Sequence, residues 1–152
     1  MKLMDLIVKE AVIVDLKSKD KKGVIRELTE ALVKTKKISS GEKIVKILLD
    51  REELGSTGIG SGVAIPHGKT DEIDQMIVAF GTSREGIEFE SLDKEPVYLV
   101  FLMLAPVDSA GGHLKALANI SRMVKEKHCR QSLREACGVE EIIKIIKEED
   151  KY

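Results

Sequence analysis

The run Val97-Tyr98-Leu99-Val100-Phe101-Leu102-Met103-Leu104-Ala105-Pro106 carries no charged residue, and it constrains the fold more than any other stretch of the chain. It falls well short of the roughly 20 apolar residues that cross a bilayer. It also lacks the apolar–polar alternation of a strand with one wet face. Such a segment predicts a strand over Pro96 to Leu104 that is buried on both sides, in the middle of a sheet with helices over its faces.

The flanking sequence supplies those elements. Ala11 to Leu16 is a β-branched run that predicts a strand, and Asp20 offers an N-cap for a helix through Lys36 with Val24, Leu28 and Leu32 on its apolar face. Ser40 is placed to cap a second helix to about Leu54, with Ile44, Ile47, Leu48 and Leu49 inward. Met76 to Thr82 predicts another strand, and Ile87 to Glu90 a short edge strand after a turn at Gly86. Beyond Pro106, Asp108 or Ser109 starts a long helix through Lys127 whose expected core face is Leu114, Leu117, Ala118, Ser121 and Val124. Two shorter helices follow, from about Cys129 to Ala136 and from Val139 to Lys147, with Gly138 as the break. Strands interleaved with helices, and no repeat or linker, predict one α/β domain over residues 1–152 with a mixed β-sheet flanked by helices on its faces.

Composition narrows the function classes. The 152 residues suffice for a proper core without metal or disulfide staples. Lys and Arg total 25 against 26 Asp and Glu, a net charge of −1, and no basic run stands out along the sequence. General nucleic-acid binding and insertion into a membrane are therefore not expected. Met1 to Ile7 has an acid early and no cleavage site after an apolar run, so a cytoplasmic protein is expected. Cys129 and Cys137 fit neither a disulfide framework nor a metal-ligand spacing and read as reduced thiols. No metal site is expected.

Five of the twelve glycines lie between Gly55 and Gly68. In the loop Gly55, Ser56, Thr57, Gly58, Ile59, Gly60, Ser61, Gly62, such density lets backbone N–H groups converge on an anion while the hydroxyls add donors, so phosphate is the expected guest. A tight inert turn is the alternative. Gly62 to Thr70 misses the Walker A count by one residue, and the glycines precede a strand rather than joining a strand to a helix, so neither nucleotide fingerprint applies. His67, between Pro66 and Gly68, is the candidate nucleophile, since a neutral imidazole accepts and releases a phosphoryl group. His113 follows Gly111-Gly112, where the chain leaves the central strand for a helix, and two histidines could meet there; a surface histidine of that helix is the alternative. His128 stands in a charged run and reads as solvated.

The stretch Arg51 to Gly68, the Ser83-Arg84-Glu85-Gly86-Ile87 turn, Leu99-Val100-Phe101-Leu102 before Ala105-Pro106, and Gly112-His113-Leu114-Lys115-Ala116-Leu117-Ala118 together resemble the fructose/mannitol-type IIA domain of the bacterial phosphoenolpyruvate-dependent phosphotransferase system. The likeness covers nearly the whole chain and its pattern is closest to the nitrogen-regulatory branch. It implies a mixed sheet with helices on its faces, no cofactor, and a phosphotransferase working through a phosphohistidine. By this resemblance His67 matches the histidine that takes a phosphoryl group from phospho-HPr and passes it to a IIB domain, or holds it as a signal for a regulatory target protein. His113 matches the family's second histidine and Arg51 its arginine before the loop. A small-molecule phosphate-binding module or enzyme without a phosphohistidine is the alternative from a different class.

Overall fold

The computed structural model describes residues 2–150. In chain order a one-turn helix α1 (Leu3–Leu6) leads into β1 (Ile7–Ile13), followed by α2 (Lys21–Lys34) and α3 (Gly41–Glu53). Then come β2 (Gly58–Gly60), β3 (Val63–Ala64), β4 (His67–Thr70), β5 (Ile77–Ile87) and β6 (Val97–Pro106), and finally α4 (Gly112–Lys125), α5 (Lys127–Glu135) and α6 (Val139–Glu149).

The strands form one mixed sheet of six in the order β1-β5-β6-β3-β2, with β4 also paired to β6. The uncharged run is central, as expected: β6 is antiparallel to β5 on one side and parallel to β3 and then β4 on the other. Its side chains alternate between two cores. Val100, Leu102 and Leu104 pack among the apolar residues of α2 and α3, while Leu99, Phe101 and Met103 pack with those of α4, α5 and α6. Phe80 and Phe101 meet in the second core with ring centroids 4.5 Å apart. A fully buried side chain of this size stabilises the fold by about 1.5–3 kcal/mol. Among the described residues no helix is long and apolar enough to cross a membrane.

Several boundaries differ from the sequence expectation. The first strand is Ile7–Ile13, not 11–16, because Asp15 turns the chain at φ 61° and its amide leaves the ladder for the Thr82 hydroxyl. The predicted strands 76–82 and 87–90 are largely one: β5 runs to Ile87 through a bulge after Thr82. The long helix starts at Gly112 rather than at Asp108 or Ser109, since Ala110 and Gly111 take φ 50° and 90° in the turn before it. Its buried stripe is Ala116, Ile120, Met123 and Val124, an i, i+4, i+7, i+8 pattern. Leu114, Ala118 and Ser121, expected inside, are exposed.

Ser40 is the N-cap of α3 but its side chain makes no capping bond. Glu72 supplies one instead: its Oε1 accepts from the amides of Ser39 and Ser40 at 2.8 and 3.2 Å and from the Ser39 hydroxyl at 2.8 Å. Those bonds, led by the one from the Ser39 amide, hold the Glu72 carboxyl below its ordinary pKa.

Candidate functional site

The chain reaches His67 along the edge of β6. β3 pairs with Leu99 and Val100, the ladder breaks at Ile65-Pro66, and β4 resumes it with His67 opposite Met103 and Thr70 opposite Pro106. Pro66 has no N–H to give, and its carbonyl accepts from the Met103 amide at 2.9 Å. His67 and Lys69 fall on one face of this short strand by its period of two. Gly68 falls on the other, where a Cβ would lie 2.8 Å from Ile47 Cγ2. The glycine therefore brings α3 close to the strand rather than clearing space around the imidazole.

The C-terminal end of α3, β4 and the start of α4 enclose a groove of about 530 Å³ that holds His67, His113, Arg51 and Lys69 together, with the apolar Leu54 on its wall. His67 is half-buried, and its Nδ1 lies 2.8 Å from the carbonyl oxygen of Ile65. A carbonyl only accepts, so Nδ1 carries the proton and the free lone pair resides on Nε2. His113 stands in the first turn of α4, a helix start with no side-chain cap, where the helix dipole favours an anion although the Gly112 and Leu114 amides already donate to the Ser109 and Gly111 carbonyls. Its Nδ1 lies 3.1 Å from the Ser109 hydroxyl. Burial, then the charges of Lys69 and His67, push the His113 pKa below that of an ordinary histidine. Arg51 donates to the Gly55 carbonyl at 3.0 Å, closing the end of α3. Asp50, the single carboxylate lining the groove, is bonded to Lys46 at 2.9 Å.

The loop Gly55, Ser56, Thr57, Gly58, Gly60, Ser61, Gly62 does not line this groove. Its donors serve the protein instead. The Thr57 amide and hydroxyl donate to the buried Glu52 carboxylate, the Gly58 amide to the Ser56 hydroxyl, and the Ser61 amide to Asp93. Lys21 completes the anchor, 3.4 Å from Glu52. The glycines permit close packing: a Cβ on Gly58 would overlap the Ser91 hydroxyl at 2.2 Å. Lys69, Ser109 and Leu54 were not singled out from the sequence. Lys69 is two residues from His67 and Ser109 four before His113, signals that become legible once a strand at 67–70 and a turn before α4 are known.

Residues 5–149 match the family described as Phosphoenolpyruvate-dependent sugar phosphotransferase system, EIIA 2. The chain belongs to that family. Within the EIIA 2 family, it is 38% identical over 147 residues to a nitrogen regulatory protein of Bradyrhizobium diazoefficiens, covering 96% of this chain and 95% of that one. It is also 38% identical over 151 residues to the fructose-specific EIIABC component of Bacillus subtilis; this covers 99% of the present chain but only 24% of that longer relative. The crystal structure of the nitrogen regulatory protein IIA-Ntr from Neisseria meningitidis superposes with a TM-score of 0.87 at 31% identity, covering 95% of this chain and 98% of that one. The mixed sheet with helices on both faces is thus the EIIA 2 architecture.

Proposed function

We propose that this EIIA 2 protein is a phosphocarrier that takes a phosphoryl group from the phosphohistidine of HPr onto Nε2 of His67. It then hands the group to a IIB domain or displays it to a regulatory target. The observation that carries the assignment of the acceptor atom is the bond from His67 Nδ1–H to the Ile65 carbonyl, which leaves Nε2 as the one ring nitrogen with a free lone pair.

In the forward step the Nε2 lone pair forms the new P–N bond as the donor's P–N bond breaks, and the donor imidazole keeps that electron pair. The His67 ring gains positive character, which the Ile65 carbonyl offsets through Nδ1–H. With its pKa lowered, His113 is neutral at neutral pH. A proton donated by the Ser109 hydroxyl to its Nδ1 leaves Nε2–H to face the phosphoryl oxygens. Arg51, Lys69 and the start of α4 supply further positive potential, and transfer of this kind depends on positioning and charge stabilisation. The EIIA 2 relatives include both a fructose-specific component and nitrogen regulatory proteins, so both onward fates belong to the proposal.

Incubation with phosphoenolpyruvate, enzyme I and HPr is the test. One acid-labile, alkali-stable phosphoryl group per chain is expected, with a phosphorus NMR signal of an Nε2-phosphohistidine, and none in His67→Ala. Equal labelling of His67→Ala removes His67 as the acceptor, and no labelling of the wild-type protein favours the phosphate-binding module that uses no phosphohistidine.

A further inference from the structure

Away from the phosphoryl groove, four cationic side chains line a second cavity of about 620 Å³. Arg84 comes from β5, while Lys127, Arg130 and Arg134 come from α5 at i, i+3 and i+7, one helical face. The segment 127–134 supplies three of the cations, and the fold adds Arg84 from β5. The cavity abuts Tyr98, whose ring lies 3.7 Å under the Arg134 guanidinium. Tyr98 precedes Met103, the partner of His67, by a run of β6 that spans roughly 17 Å at about 3.3 Å per residue. The two sites are distinct.

Two of the cations are fixed in place. Arg130 donates to the carbonyls of Val124 and Lys125 at 2.8 and 2.9 Å, and Arg134 stacks on Tyr98. Arg84 and Lys127 form no ion pair among the described residues. The single lining carboxylate, Glu135, accepts from Gln131 at 3.1 Å. Ser61 and Ser83 add hydroxyls, and Ser83, whose oxygen accepts from the Gly86 amide, still has its proton to donate. Like charges gathered in a concave space repel one another and raise the local concentration of counter-anions. The excess is local, since the chain's net charge is −1. The larger cavity against α2 shows the contrast: there Lys17, Arg26, Lys34 and Lys37 are interleaved with three carboxylates, Glu10, Glu27 and Glu30, rather than one.

We propose that the Arg84–Lys127–Arg130–Arg134 cavity is a second ligand site, for a small soluble molecule bearing two or more phosphate or carboxylate groups. Its volume is in the range of small-molecule sites, about 300–1,000 Å³, and four cations match several anionic groups better than one. The Ser61 end of the glycine loop thereby acquires a ligand role away from the phosphoryl groove.

The test is an amide NMR titration of the full chain with inorganic tripolyphosphate, and in parallel citrate, at about 0.15 M salt, where weak surface attraction is screened. Saturable shifts are expected at Ser61, Ser83, Arg84 and 127–135. They should persist in His67→Ala, which separates this site from the phosphoryl groove. The double variant Arg84→Gln/Lys127→Gln spares the guanidiniums that hold α4 and Tyr98, and should weaken binding about tenfold or more. A stronger response to tripolyphosphate or to citrate tells whether phosphate or carboxylate groups are preferred. The proposal is overturned if neither probe saturates, if the double variant binds both as wild type does, or if the cavity responds only to an acidic peptide.

Discussion

The Ser109 hydroxyl and His113 Nδ1 lie 3.1 Å apart across the turn that begins α4. The hydroxyl both donates and accepts, so it orients the ring without fixing its charge. Its contribution is separable from that of the imidazole. Replacing His113 by Ala should leave His67 able to accept a phosphoryl group but slow the exchange about 10²-fold, the usual effect of losing one charge-stabilising donor. Ser109→Ala should slow it by less. Rapid-quench transfer from phospho-HPr checks both, and a His113→Ala protein with wild-type rates in both directions removes the histidine from the mechanism.

The lowered His113 pKa has a definite sign. A histidine that protonates less readily when folded penalises the folded state as pH falls below its ordinary value of about 6.5, and the penalty levels off once pH is below the folded pKa. Stability should therefore be greater at neutral pH than in mild acid on this account. Lys69→Met removes one of the causes and should raise the His113 titration midpoint, read from the imidazole carbon-bound proton. An unchanged or lower midpoint contradicts the proximity of Lys69.

Leu54, on the groove wall, is 84% exposed, Leu114, next to His113 in the chain, is 61% exposed, and Val107, just beyond the end of β6, is 57% exposed. The apolar residues of the glycine loop lie elsewhere: Val63 and Ile65 are buried, and Ile59, though exposed, opens toward Lys125 and Arg130. Leu54→Glu or Leu114→Glu should slow phosphoryl transfer from HPr at least about tenfold in a fully folded protein, since hot-spot side chains typically contribute 2 kcal/mol or more. Ile59→Glu should transfer normally. The opposite ranking in stopped-flow transfer would move the docking face to the glycine loop.

Glu72 replaces Ser40 as the cap of α3. Glu72→Gln should cost about 1 kcal/mol of unfolding free energy in urea, in the range of lost helix caps. Its depressed pKa means the carboxylate's stabilisation is present above the unfolded value, about 4.3, and is lost as pH falls through the lower folded value. The variant should lack that part of the acid dependence.

Burial pushes the Cys129 thiol up to about 11, whereas Cys137 is exposed. A disulfide-exchange reagent at pH 8 should label one thiol per native chain, at Cys137, and both only after denaturation. Two fast-reacting native thiols would show that α5 opens readily.

What the sequence made legible follows from the range of the forces involved. An uncharged run such as 97–106 has few places to go, and the α2 stripe of Val24, Leu28 and Leu32 repeats at helical spacing, so both were readable without neighbours. β4 was not, because His67-Gly68-Lys69-Thr70 has no strand pattern of its own and is extended only by its ladder to β6. The core face of α4 differs from the expectation because Leu114 is apolar yet solvent-exposed. His67 and His113 were both singled out, and the fold brings them to one groove. The glycine loop was read as a cradle because hydrogen-bond donors can be counted in a sequence, whereas acceptors such as Glu52 and Asp93 that occupy them cannot.

The acceptor for His67 Nδ1–H is the main-chain oxygen of Ile65, not a side chain. Many catalytic histidines owe their tautomer to a neighbouring carboxylate, which one codon change can delete. Here every amino acid at position 65 carries the same carbonyl, so the tautomer of His67 is insulated from mutation there as long as the backbone path through Pro66 is kept. On the proposed phosphocarrier role, evolution is then free to vary the apolar residues around the groove while the acceptor atom stays constant, so that one scaffold can be rewired to new recipients without re-inventing its phosphoryl chemistry.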